Sequence, residues 1–150
     1  MIKYVKGDLF NYIDSNKRIM IPHVCNDLGL WGAGFVVPLG KKYPEAKKAY
    51  LDEFKLEYNK LGVTIMHQVG QNTYVANMIA QHKVGGERPL RYDSLCRCMN
   101  FVSEQCKIFN FEIYCPKFGS GLAGGNWRFI ECLIQDFWVN QGIFVTVFEI

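Results

Sequence analysis

A chain of 150 residues, 49% hydrophobic and 15% aromatic, can fill one complete core and is too short for two domains. Its formal net charge of +3 suits small anionic ligands but falls short of the basic footprint of a dedicated nucleic-acid binder. The six cysteines include no CxxC pair and no Cys/His cluster at zinc spacing, and no apolar run has the length of a membrane span or the form of a secretory leader. A single cytosolic domain with reduced core thiols is therefore expected.

In chain order, IKYV at 2–5 has strand length and β-rich composition, and KGDLF at 6–10 follows it. Asp8 could accept a hydrogen bond from an exocyclic amine while the N–H of Leu9 donates, which together read an adenine edge; a plain Gly-Asp turn is the alternative. A second strand, RIMIPHV at 18–24, runs into HVCNDLGLWGAGF at 23–35 and a short apolar segment. His23, Asn26 and Asp27 bring three polar side chains to a strand end, and Gly29, Gly32 and Gly34 leave room for close backbone approach. The alternative there is a long connection with His23 satisfied in the core.

After Pro44, the residues Ala46, Ala49, Tyr50, Glu53 and Phe54 recur at helical intervals. The runs 63–69 and 73–80, separated only by GQN, predict an antiparallel hairpin with His67 on a solvated face. His82 and Lys83 fall in the loop beyond it, within reach of a ligand. Leu95, Cys98, Met99, Val102, Cys106 and Phe109 mark one helical face over 94–109, and FEIYC at 111–115 reads as a strand. A second glycine-rich segment, CPKFGSGLAGGNW at 115–127, leads into a helix over 127–140 that Asn126 caps and Gly142 follows; the strand 144–150 closes the chain.

Strands alternating with amphipathic helices predict an α/β domain with helices on both faces of the sheet. In such sheets ligands settle at the loops beyond the strand ends. Two glycine-rich segments, each leaving a strand and entering a helical pattern, can close on a diphosphate with N–H donors and helix dipoles. Neither is a GxxxxGK[ST] loop, nor a GxGxxG turn with a following acidic residue, which argues against nucleotide hydrolysis and nicotinamide redox chemistry.

The strings YVKGDLF (4–10), IMIPHVCNDLGLWGAGFVVPLGKKYPEAKKAY (19–50), PKFGSGLAGGNW (116–127) and VTVFEI (145–150) resemble the macrodomain. Within it they are similar to the compact branch that includes ADP-ribose 1''-phosphate phosphatases and the ADP-ribosyl-glutamate hydrolase. The resemblance implies one domain over 1–150, a three-layer α/β/α fold with a mixed central sheet of about six strands. It implies that Asp8 binds the adenine amino group and Leu9 a ring nitrogen, with Phe148 and Ile150 bordering the base. It sets Asn26 at the distal ribose, and Gly32, Ala33, Gly34 and Phe35 along the ribose and diphosphate. The segment Lys117, Phe118, Gly119, Ser120, Gly121, Leu122 and Ala123 wraps the diphosphate, with Trp127 as packing residue and aromatic wall beside the distal ribose.

By the same resemblance, His23 gives acid–base assistance to the leaving 1''-oxygen. Beside it, Asn26 and Asp27 can position the phosphate or attacking water, with capping of the loop as the alternative for the acidic residue. The hydrolase branch carries an aspartate where Ala123 stands, and a lysine after the fourth strand for which Lys83 is the nearest match. The expected partners are small-molecule ADP-ribose derivatives and ADP-ribosylated protein. No metal, cofactor, membrane or dedicated nucleic-acid partner is expected, and the chain is expected to be a monomer. Three functions follow: a phosphatase acting on ADP-ribose 1''-phosphate, a non-catalytic ADP-ribose reader, and a de-ADP-ribosylating hydrolase, the last weakened by Ala123.

Overall fold

Each β-rich run forms a strand in the computed structural model, which describes residues 1–86 and 89–149. The strands are β1 (Lys3–Lys6), β2 (Ile19–Asn26), β3 (Thr64–Gln68), β4 (Thr73–Gln81), β5 (Glu112–Cys115) and β6 (Val145–Glu149). Between them lie α1 (Val36–Lys42), α2 (Pro44–Glu53), α3 (Tyr92–Phe109) and α4 (Trp127–Phe137), with 3-10 turns at Leu9–Tyr12 and Val139–Gln141. The sheet order is β1-β6-β5-β2-β4-β3. β3 pairs antiparallel with β4 through the expected hairpin, and every other pairing is parallel.

Side-chain alternation along β2 builds the layers. Ile19 and Ile21 face one way and join Leu39, Ala46, Val75 and Phe148 in a core under α1 and α2. Met20 faces the other way, into the larger core that α3 and α4 cover with Leu95, Met99, Val102, Ile130 and Ile134. A strand buried on both faces reads as a continuous apolar run, as β2 and β4 do. The result is the expected three-layer α/β/α arrangement of six strands. No described helix is long and apolar enough to cross a membrane.

Helix ends follow local chemistry. The Asn126 side chain accepts from the N–H of Phe129 at 3.2 Å and starts α4. Asn110, in the left-handed region at φ 59°, ends α3. The sequence reading of a helix over 127–140 is corrected at its end: α4 stops at Phe137 and tightens into the turn Val139–Gln141. α1 was legible only as a short apolar segment, since its seven residues give barely two turns of periodicity.

Trp138 locks α4 onto α3. It is fully buried, and its indole Nε1 donates to the Met99 carbonyl at 2.9 Å. Trp138→Phe keeps most of the packing but leaves that carbonyl unpaired, which costs about 1–3 kcal/mol. Urea unfolding of the variant checks this; an unchanged midpoint would show that the bond contributes nothing to the docking of α4.

Candidate functional site

The chain leaves β2 toward β4 on one side of the sheet, whereas β5 connects to β6 on the other. Loops after β2 and β5 therefore diverge from neighbouring strands, and a crevice opens where the strand order reverses. A cavity of about 500 Å³ lies there. Its walls are Gly32–Phe35 from the loop after β2, and Lys117–Gly119 with Gly121–Ala123 from the loop after β5. Gln81, Val84 and Gly85 close it from the end of β4, and His23 and Cys25 lie at its floor.

Backbone geometry explains the glycines. A Cβ on Gly125 would sit 2.4 Å from the Gly119 carbonyl oxygen, to which the Gly125 N–H donates at 2.8 Å, so the second loop closes on itself only with glycine there. Across the cavity Gly34, at φ +81°, lies so close to Leu122 that an added Cβ would be 3.6 Å from its Cδ1. The two glycine-rich loops thus meet over one crevice, as the sequence suggests. Lys117 is the one charged side chain among the described residues lining it, and its Nζ lies 3.4 Å from Glu149. Main-chain dipoles and a single ammonium group are the local attraction for an anion.

The polar side chains of the first loop largely brace the protein. Asn26 lines the cavity, but its Oδ1 accepts from the N–H groups of Leu28 (3.0 Å) and Leu30 (3.2 Å) and from the Tyr50 hydroxyl (2.9 Å). Its Nδ2 donates to the Leu30 carbonyl at 2.8 Å. Asp27 is not among the lining residues: Oδ1 accepts from the Lys83 N–H at 2.7 Å, and Oδ2 lies 2.7 Å from His82 Nδ1. Asp27 thereby ties the loop after β2 to the segment after β4. His82 and Lys83 are engaged in that same brace rather than lining the cavity, and the strand end facing it is Gln81.

His23 is 1% exposed. Its Nε2 lies 2.5 Å from Asn77 Oδ1, and its ring packs against Trp31 and Phe35 at centroid distances of 5.7 Å. Burial lowers its pKa from the ordinary 6.5 to about 4, against the raising effect of the Asn77 bond. At neutral pH the imidazole is neutral, with one ring nitrogen protonated and the other free to accept a proton.

The remaining expected residues divide. Asp8 caps the 3-10 turn after β1, accepting from the Phe10 N–H at 3.0 Å; Leu9 is buried, and Phe148 packs between Tyr12 and Tyr114. These three lie outside the cavity lining, where β1 and β6 end side by side. The Ser120 hydroxyl donates to the Lys117 carbonyl at 2.8 Å and is turned into its own loop. Trp127 packs as expected of its first role: its Nε1 donates to the Tyr4 hydroxyl at 3.0 Å and its ring meets Phe118 edge-on. His67 stays half-buried in β3, opposite Val75. Ile150 lies outside the described residues. Residues that sequence reasoning missed are Leu30, Gln81, Val84 and Gly85 in the lining and Asn77 and Tyr50 behind it. Asn77 had one signal, a polar residue inside an apolar strand run, which must find a buried partner.

No protein-family model matches the chain. It is 43% identical, over 91% of its length and 94% of the relative's, to an ADP-ribose 1''-phosphate phosphatase of Debaryomyces hansenii. Among solved structures it is similar to a macrodomain protein from Streptomyces coelicolor, at 35% identity and a TM-score of 0.86 over 100% of this chain and 99% of that one. A Bacteroides thetaiotaomicron protein of unknown function superposes with a TM-score of 0.94 at 36% identity, covering 100% of this chain and 98% of that one.

The buried imidazole has a consequence for stability. Above pH 6.5 it is neutral in both folded and unfolded chains and adds no pH dependence. Between 6.5 and about 4 only the unfolded chain binds the proton, so the fold loses stability on acidification, by roughly 3 kcal/mol across that window. In His23→Gln that part of the acid limb should be missing from urea midpoints taken at each pH. An identical limb in both proteins would contradict the buried neutral state.

Proposed function

The chain belongs to the macrodomain family, and from that premise we propose that it binds ADP-ribose derivatives in the crevice between its two glycine-rich loops and hydrolyses ADP-ribose 1''-phosphate to ADP-ribose and phosphate. The observation that carries the reading is the meeting of Gly34 and Leu122 across a cavity lined, among the described residues, by one charged side chain. Such a surface suits a diphosphate, whose oxygens accept from many N–H groups at once. The phosphatase relative from D. hansenii supports the choice of reaction.

In this reading Gly32–Phe35 and Gly119–Ala123 clasp the diphosphate, with Lys117 adding charge. Asp8 and Leu9 take the adenine edge beside Phe148, and the distal ribose lies toward Asn26. Water attacks phosphorus, the bond from phosphorus to the 1''-oxygen breaks, and that oxygen leaves as a hydroxyl by taking the proton that the water gave up to His23. His23, neutral at the floor of the cavity, accepts the proton of the attacking water. Amides already aimed at the substrate need no reorientation as charge develops, so binding and rate acceleration share one apparatus.

A second reading, the non-catalytic ADP-ribose reader, is favoured by the near-complete burial of His23 and by the bracing roles of Asn26 and Asp27. The de-ADP-ribosylating hydrolase is weakened by Ala123, which stands where that branch carries an aspartate.

Phosphate release from ADP-ribose 1''-phosphate separates the first two. Turnover that drops about 10²–10⁴-fold in His23→Ala, with ADP-ribose affinity kept in calorimetry, supports the phosphatase; tight binding without turnover in the wild type supports the reader. Asp8→Ala should weaken ADP-ribose binding about fivefold, the loss of roughly one hydrogen bond. Unchanged affinity would remove Asp8 from the adenine site.

A further inference from the structure

We propose that Asn77 is the positioning residue for His23: a buried amide that fixes the imidazole as its Nε2–H tautomer and leaves Nδ1 as the only ring nitrogen able to take a proton. The geometry stands by itself; its consequence for turnover rests on the phosphatase reading.

β2 and β4 run parallel with His23 and Asn77 in direct register, so the two side chains leave the sheet on the same face. Asn77 is fully buried. Its Nδ2 donates to the Ala46 carbonyl of α2 at 3.1 Å, and its Oδ1 lies 2.5 Å from His23 Nε2. An amide has one donor end and one acceptor end, and a carbonyl can only accept. Turning Asn77 over would set oxygen against the Ala46 oxygen, so α2 decides which end meets the histidine. An oxygen facing a ring nitrogen at this distance requires the proton to be on that nitrogen.

Nothing else around the ring competes for that decision. From β2 the titratable neighbour is Cys25, whose Sγ lies 3.9 Å from Nδ1 and 3.8 Å from Nε2; burial pushes its thiol well above the usual range, so it is neutral. From the loop after β2 come the rings of Trp31 and Phe35. From α2 come Tyr50, whose hydroxyl donates to Asn26, and the Ala46 carbonyl that holds Asn77. Among the described residues, burial and the Asn77 bond, not a charged side chain, act on the His23 proton.

The choice of an amide has a chemical reason. A carboxylate in the same place would orient the ring equally well but would stabilise the imidazolium, raising its pKa. The neutral acceptor orients without doing so. His23 is thereby kept proton-free at Nδ1 at neutral pH, which a base needs and an acid does not.

Side-chain ¹⁵N–¹H NMR of the intact protein at neutral pH reads the tautomer directly. Nε2–H in the wild type is expected, whether or not the protein turns over; Nδ1–H would overturn the inference. Nε2–H without phosphate release would leave the tautomer standing and remove the phosphatase reading. The second measurement is the pH profile of kcat. Asn77→Asp should move the acid limb to higher pH by about one unit or more with KM little changed, while Asn77→Val should lower kcat about tenfold or more and leave ADP-ribose affinity near wild type. Should both variants fold yet keep wild-type kcat and pH profile, Asn77 is packing alone. Where a variant does not fold, the wild-type spectrum decides.

Discussion

The reversal of strand order between β2 and β5 is the constraint on which the site depends. Parallel neighbours whose connections run in opposite directions leave a gap at their shared end, and no side chain has to be invented to make the crevice. What the sequence adds is a way to line it with backbone. The Gly125 N–H to Gly119 carbonyl bond closes one loop, Gly34 in its left-handed conformation at φ +81° turns the other toward Leu122, and the described part of the wall that results is rich in peptide groups and poor in charge. A diphosphate is the ligand class for which such a wall is best suited, because its charge is spread over oxygens that each accept several bonds.

The polar residues that look most like a catalytic set in the one-dimensional chain are mostly structural. Asn26 bonds Leu28, Leu30 and Tyr50 through its oxygen and Leu30 through its nitrogen, and Asp27 joins two loops. A loop at a strand end has many unpaired peptide groups, and short polar side chains nearby satisfy them. His23 differs, since the Asn77 and Ala46 chain behind it orients one ring nitrogen from the far layer of the fold. A buried neutral network of this kind is strong where it is complete, and it turns helix α2 into part of the site without bringing it near the ligand.

The strands were legible because buried parallel strands are continuous apolar runs: IKYV, RIMIPHV and FEIYC need no partner to be recognised. The hairpin was legible from GQN, and α3 and α4 from their long apolar faces. α1 escaped because two turns, with Gly40 inside them, show no period. The two glycine loops announced the crevice through composition alone. The side-chain roles were not visible, since the engagement of Asp27 by Lys83, 56 residues away in the chain, and the pairing of His23 with Asn77 depend on register between β2 and β4. Burial decided the charge state of His23, and burial is a property of the assembled layers.

The central claim is that the two glycine-rich loops hold the diphosphate of ADP-ribose by their peptide N–H groups. A crystal structure of the protein with ADP-ribose tests it most directly. The account predicts the pyrophosphate between Gly32–Phe35 and Gly119–Ala123, within hydrogen-bond distance of main-chain nitrogens from both segments. A nucleotide bound elsewhere, or one whose pyrophosphate touches neither loop, would contradict it.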